Sequence, residues 1–202
     1  HRRENWGDGL EGIAAGVRML AVDHPNDYFV IPQHPNPEVR KHWETLNDLP
    51  NVCLTDAHSY PEFARLMARS YLIITDSGGI QEEAPSLDKP VLVCRDSTER
   101  REGLEAGTLK LVGTDPVKIR EEAGILLDDE HAYQEMAEAE NPYGDGRASE
   151  RIVAAMTYLY RGGRLPDPFH SSFYRDAVIE ASGYKLPATA RERLDPALVP
   201  ES

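Results

Sequence analysis

The chain has 202 residues, 40% of them apolar, enough to bury the core of one ordinary domain or two small ones. Thirty-five acids against 22 bases give a net charge of −13, which excludes the basic surface that nucleic-acid binding needs but leaves room for a local anion site. No apolar run approaches membrane-spanning length, no signal peptide is expected, and Cys53 and Cys94, each in an apolar run, read as buried thiols of a cytoplasmic protein.

The predicted elements alternate along the chain. Leu10, Ile13, Ala14, Val17, Leu20 and Ala21 recur at helical spacing. YFVIP predicts a strand, and NPEVRKHWETL a helix with Pro37 in its first turn. VCLT predicts a strand, and YPEFARLMARS a helix with Phe63, Leu66 and Met67 on one side. YLIIT is the next strand, GGIQEEAPSL a short helix, and PVLVC and TLKLV two more strands. Asp115 caps a helix that opens on Pro116 and carries Val117, Ile119, Ala123 and Leu126. ASERIVAAMTYLYRG closes the regular part near Gly162. Apolar strands alternating with helices predict an α/β fold, a doubly wound parallel sheet covered on both faces, over residues 1–162. Residues 121–140 hold eight acids and no Lys or Arg, and read as a solvated helix face. Residues 163–202 hold five of the fifteen prolines and read as a tail laid on a surface, extended or partly helical, with one short helix in DAVIEAS.

Function concentrates in TDSGGIQEEAPSLDKP, residues 75–90. In an open parallel sheet, ligands bind beyond the carboxyl ends of the strands. YLIIT delivers the chain to that edge. Gly78 and Gly79 let backbone approach a ligand, the following helix start offers free N–H groups, and Ser77 adds a hydroxyl. These residues suit a phosphate. Glu83, one turn on, is placed to accept hydrogen bonds from ribose hydroxyls. Together they describe a nucleotide site; the plainer reading is a strand–helix turn with Glu83 facing water. RDSTERREG follows the next strand to the same edge, and its Arg100 suits a diphosphate, whereas Arg95 and Arg101 read as a solvated charged loop. HRREN places His1, Arg2 and Arg3 together as a second anion contact.

Three segments, HRREN, TDSGGIQEEAPSLDKPVLVCRDSTERREGLEAGTLKLVGTD and NPYGDGRAS, resemble the C-terminal half of the non-hydrolysing bacterial UDP-N-acetylglucosamine 2-epimerases over roughly residues 1–160. The resemblance implies one Rossmann-like domain of a two-domain, glycosyltransferase-B-like architecture. It implies interconversion of UDP-N-acetylglucosamine and UDP-N-acetylmannosamine by elimination and re-addition of UDP, with no redox cofactor and no metal. Seven histidines scattered without ligand spacing agree with that. It implies that Ser77, Gly78 and Gly79 bind the distal phosphate and that Glu83 holds the ribose. Arg100 and His1 would meet the phosphates and stabilise the leaving group. Phe63 would lie against the uracil, with the backbone near His58 at its edge; the family often has glutamine at His58. Arg2 and His34 match positions that in some members line a regulatory site for a second UDP-N-acetylglucosamine; ordinary capping is their other reading. The groups that move the C2 proton belong to an N-terminal domain in this family. The chain is therefore expected to be a fragment that acts with such a domain in cis or in trans, as a monomer or homodimer, with no nucleic-acid or membrane partner. A glycosyltransferase nucleotide-sugar domain and a non-catalytic UDP-binding module are the alternatives.

Overall fold

Every strand pairing among the described residues is parallel, but the strands form two separate sheets where one continuous sheet is expected. The computed structural model describes residues 2–162 together with Arg164 and Pro166; the tail, including DAVIEAS, otherwise lies outside the described residues. Strand β1 (Phe29–Pro32) pairs with β2 (Val52–Thr55), Phe29 opposite Val52. A second sheet has the order β3 (Ile73–Thr75), β4 (Val91–Val93), β5 (Leu109–Leu111). Helix α1 (Asp8–Asp23) precedes β1, yet no strand leads into it among the described residues. No ladder joins β1 to β3 among the described residues.

Helices cover both faces, as the sequence predicts. On one face, Leu92 and Cys94 pack with Ile13 and Leu20 of α1 and with Ile119, Ala123 and Leu126 of α6 (Pro116–Asp128). Phe29 of β1 and Ile74 of β3 pack against this same cluster, so both strand pairs lie under one helical layer. On the other face, Val91 and Val93 meet Leu109 and Ala84, with Ile80, Leu104 and Tyr143 around them. The alternation along β4 is the period-two geometry of a strand, and its three residues are 0% exposed. Helices α1 and α6 approach closely because Gly12 and Gly16 face α6. A Cβ on Gly12 would stand 2.2 Å from the Thr114 carbonyl oxygen, and one on Gly16 3.0 Å from Ile119 Cβ.

The predicted Asp115 cap forms, and Asn36 adds a second. Asn36 accepts from the Glu38 N–H at 3.0 Å ahead of α2 (Pro37–Trp43), which runs on into a 3₁₀ turn at Glu44–Leu46. Asp115 accepts from Val117 and Lys118 N–H at 2.8 and 3.0 Å. Helix α3 (Tyr60–Arg69) and α4 (Gly78–Glu83) stand where predicted, α4 continuing as a 3₁₀ turn at Ala84–Leu87. Two helices are additional: α5 (Arg101–Ala106), in what reads as a charged loop, and α7 (Glu130–Ala137). Within residues 121–140 the acids face solvent except Glu122, which is largely covered and pairs with Lys110. Helix α8 (Ala148–Arg161) buries none of its residues. Cys94 is buried, and burial pushes its thiol up to about 12, which removes it as a nucleophile. Cys53 is only half-buried, against expectation, because β1–β2 carries less cover than β4.

Candidate nucleotide site

Parallel strands bring four loops to one edge: Gln33–His34 after β1, Asp56–Ser59 after β2, Asp76–Ser77 after β3 and Cys94–Arg100 after β4. Ser77 is the N-cap of α4, with extended backbone, and its N–H donates to Thr75 Oγ1 at 3.1 Å. Helix α4 is six residues long, so it offers backbone N–H groups and little macrodipole.

The charge at this turn comes from two side chains. A Cβ placed on Gly78 would stand 3.2 Å from Cζ and Nη2 of Arg100, and also 3.2 Å from Nη2 of Arg2. Two guanidinium groups therefore converge on one backbone position. Arg100 is held by Glu82, with Nη2 at 2.6 Å and Nε at 2.7 Å from Oε1, and by Glu99. Arg2 is held through its backbone N–H, 2.9 Å from Asp76 Oδ2, and through Nε, 3.4 Å from the Asp76 carbonyl. Two like charges brought together at a glycine turn make a fork for a multiply charged anion such as a diphosphate.

The remaining predicted residues arrange around this point. Glu83 folds back over the turn, its Oε1 3.7 Å from where a Gly79 Cβ would be, and its Oε2 accepts from the Tyr60 hydroxyl at 2.9 Å. That hydrogen bond is the largest cause raising the Tyr60 phenol above its ordinary value. Glu82 and Glu83 thus diverge, one to Arg100 and one to Tyr60, as neighbouring positions on a helix must. His58, Phe63 and Ser77, with His34 and Asp76, line an open cavity of about 1150 Å³. Its inner walls are β1, β3 and the apolar face of α1. His58 Nε2 lies 3.0 Å from Thr55 Oγ1. His34 stands just ahead of α2, its Nδ1 accepting from the N–H of the cap residue Asn36 at 3.2 Å. Arg2 stands with Arg100 at Gly78. His1 lies outside the described residues.

Arg95 departs from the solvated reading. Its side chain is only 13% exposed and pairs with Glu4 at 2.7 Å and Glu99 at 3.1 Å. It ties the HRREN segment to the loop after β4; Arg101 is exposed, as expected. Sequence reasoning missed three buried or part-buried polar residues. Asn5 donates to Asp76 Oδ2 at 3.3 Å and to the Cys94 carbonyl at 3.0 Å. Gln81, 0% exposed, donates from Nε2 to the Ser77 carbonyl at 3.0 Å. Thr98 donates to Gln81 Oε1 at 2.6 Å and accepts from the Arg100 N–H at 3.1 Å. Nothing in a single sequence marks Gln81 as buried beyond its place three residues from Gly78, on the inner side of α4. No group of three or more His, Cys, Asp or Glu is placed to hold a metal among the described residues, and no helix there is long and apolar enough to cross a membrane.

A family model described as UDP-N-acetylglucosamine 2-epimerase matches residues 1–157. The chain belongs to that family. The UDP-N-acetylglucosamine 2-epimerase of Escherichia coli K12 is 52% identical over 157 residues, 77% of this chain and 42% of that protein. The enzyme of that name from Campylobacter jejuni is 49% identical over 154 residues, 76% of this chain and 40% of that protein. The chain thus spans 40–42% of the length of these relatives. The structure of the Neisseria meningitidis UDP-GlcNAc 2-epimerase bound to UDP-GlcNAc superposes with a TM-score of 0.74 at 49% identity, over 77% of this chain and 42% of that one. An S. aureus protein solved with UDP superposes with a TM-score of 0.78 at 46% identity, over 84% and 47%. The α/β, Rossmann-like fold of the epimerase family is therefore that of this chain. Residues 1–157, which the epimerase family model matches, include every site residue discussed above.

Proposed function

We propose that the chain is the UDP-binding part of a UDP-N-acetylglucosamine 2-epimerase, which interconverts UDP-N-acetylglucosamine and UDP-N-acetylmannosamine. The observation that carries this reading is the convergence of Arg2 and Arg100 on Gly78, beside Glu83 and the cavity that holds Phe63. In the reaction a base takes the C2 proton, the C1–O bond breaks, and UDP leaves with the bonding pair. Re-addition of UDP with the proton on the other face gives the epimer. Negative charge grows on the distal phosphate as the bond breaks, and groups fixed to meet it favour the transition state. Arg100, the Ser77–Gly79 turn and, next in the chain to Arg2, His1 take that role. Phe63 takes the uracil, the backbone near His58 its edge, and Glu83 the ribose. The proton-transfer groups come from a further domain, in cis or in trans. The product, an activated amino sugar, is a precursor for cell-surface polysaccharide, made in the cytoplasm.

The experiment is calorimetric titration of this chain with UDP, followed by assay with UDP-N-acetylglucosamine. UDP binding is expected, with the affinity lost on Arg100→Ala, and no epimer is expected from the chain alone. With an N-terminal domain supplied, activity returns, and Arg100→Ala lowers turnover by about 10²–10³-fold, the cost of one preorganised donor. Absence of UDP binding overturns the reading; enzyme-like turnover by the chain alone overturns the need for a second domain.

A further inference from the structure

We infer that Gln81 is a positioning residue, which sets the distance between Arg100 and the Ser77–Gly79 turn through Thr98. The inference rests on the phosphate role proposed above for both.

The hydrogen bonds have a single direction. The Arg100 N–H donates to Thr98 Oγ1 at 3.1 Å. The Thr98 hydroxyl, with one proton to give, donates to Gln81 Oε1 at 2.6 Å. Gln81 Nε2 then donates to the Ser77 carbonyl at 3.0 Å. Reversing the amide would set its oxygen against the Ser77 carbonyl oxygen, two acceptors with no proton between them, so one orientation survives. Gln81 is 0% exposed, and a buried amide is costly unless both its ends are used. Here both ends are used, and they reach the loops after β3 and β4. Arg100 needs such a tie. It is the N-cap of α5, with backbone outside the helical region and no side-chain cap bond. Its guanidinium is ion-paired to exposed carboxylates, Glu82 and Glu99, which a phosphate would displace. The backbone end is what stays fixed when that exchange occurs.

The test uses this chain with UDP and UMP as probes, because UMP lacks the distal phosphate. Gln81→Met and Thr98→Val each lower UDP affinity about tenfold, the scale of one hydrogen bond. UMP affinity changes less than about twofold. The double variant is no weaker than either single one, because both cut the same chain of bonds. Thr98→Ser keeps the hydroxyl and keeps wild-type affinity. Equal losses for UDP and UMP, or additive losses, overturn the inference. A ligand-free readout accompanies these: exchange of the Arg100 amide rises in Gln81→Met and Thr98→Val, and not in Thr98→Ser. Unchanged exchange also overturns it. Should Gln81→Met fail to fold, the two Thr98 variants decide. If the wild-type chain does not bind UDP, the functional reading falls, and the exchange measurement still decides whether Gln81 holds Arg100.

Discussion

At Gly78 the missing side chain vacates the spot where two guanidinium groups meet. Any Cβ there would press on both, so the turn and the charge are one device. Glu83 extends it. The carboxylate already accepts a hydroxyl, that of Tyr60, at 2.9 Å, the kind of bond the proposed ribose contact needs. Glu83→Ala is expected to weaken UDP binding by about 1.5–3 kcal/mol, the range for hydrogen bonds to a charged group. Calorimetry that finds the variant as tight as wild type returns Glu83 to a solvated role. That Ser77, Gly78, Glu83 and Arg100 gather at one sheet edge was legible, because each lies just beyond the end of a predicted parallel strand. Gln81, Thr98 and Asn5 were not. Their part depends on being buried between two loops, and residue type does not reveal burial.

Among the elements, the strands and the longer helices were legible from apolar spacing and from caps such as Asp115–Pro116. Helix α5 was not, because REGLEA has too few apolar residues to set a period. Helix α7 carries Tyr133 and Ala137 inward, spaced one turn apart, but the run of acids hides them. Helix α8 depends on a different tie. Its Arg151 grips Asp145 of the preceding NPYGDG loop with both nitrogens, at 2.6 and 2.5 Å, and the Arg147 N–H adds a third bond at 3.0 Å. The Arg151 hydrogen bonds are the largest cause holding the Asp145 carboxyl well below its usual range. A carboxyl whose folded value is depressed stabilises the fold above its unfolded value and loses that contribution as pH falls towards the folded one. Asp145→Asn is therefore expected to lower the thermal midpoint by a constant amount from pH 7 to about 5. The gap closes below about 4, where the unfolded carboxyl takes up its proton. A gap independent of pH down to about 2 would show that Asp145 acts by packing alone.

At the scale of the whole molecule, strand pairing is uneven. Among the described residues β1 pairs only with β2, and β3 only with β4, while β4 is paired on both sides and fully covered. Amide exchange should follow that order, slowest in Val91–Val93 and faster in Phe29–Pro32 and Ile73–Thr75; uniform protection across the five strands would mean that the gap between the two sheets is closed in solution. Each open edge is a row of backbone donors and acceptors, a template onto which another chain can pair. The net charge of −13 opposes such pairing between copies of this chain. That repulsion reaches about 10 Å at 0.1 M salt and about 3 Å at 1 M. Colloidal behaviour thus becomes a macroscopic readout of those unpaired edges: light scattering is expected to grow as salt is raised, and scattering that stays flat would show that the edges do not pair.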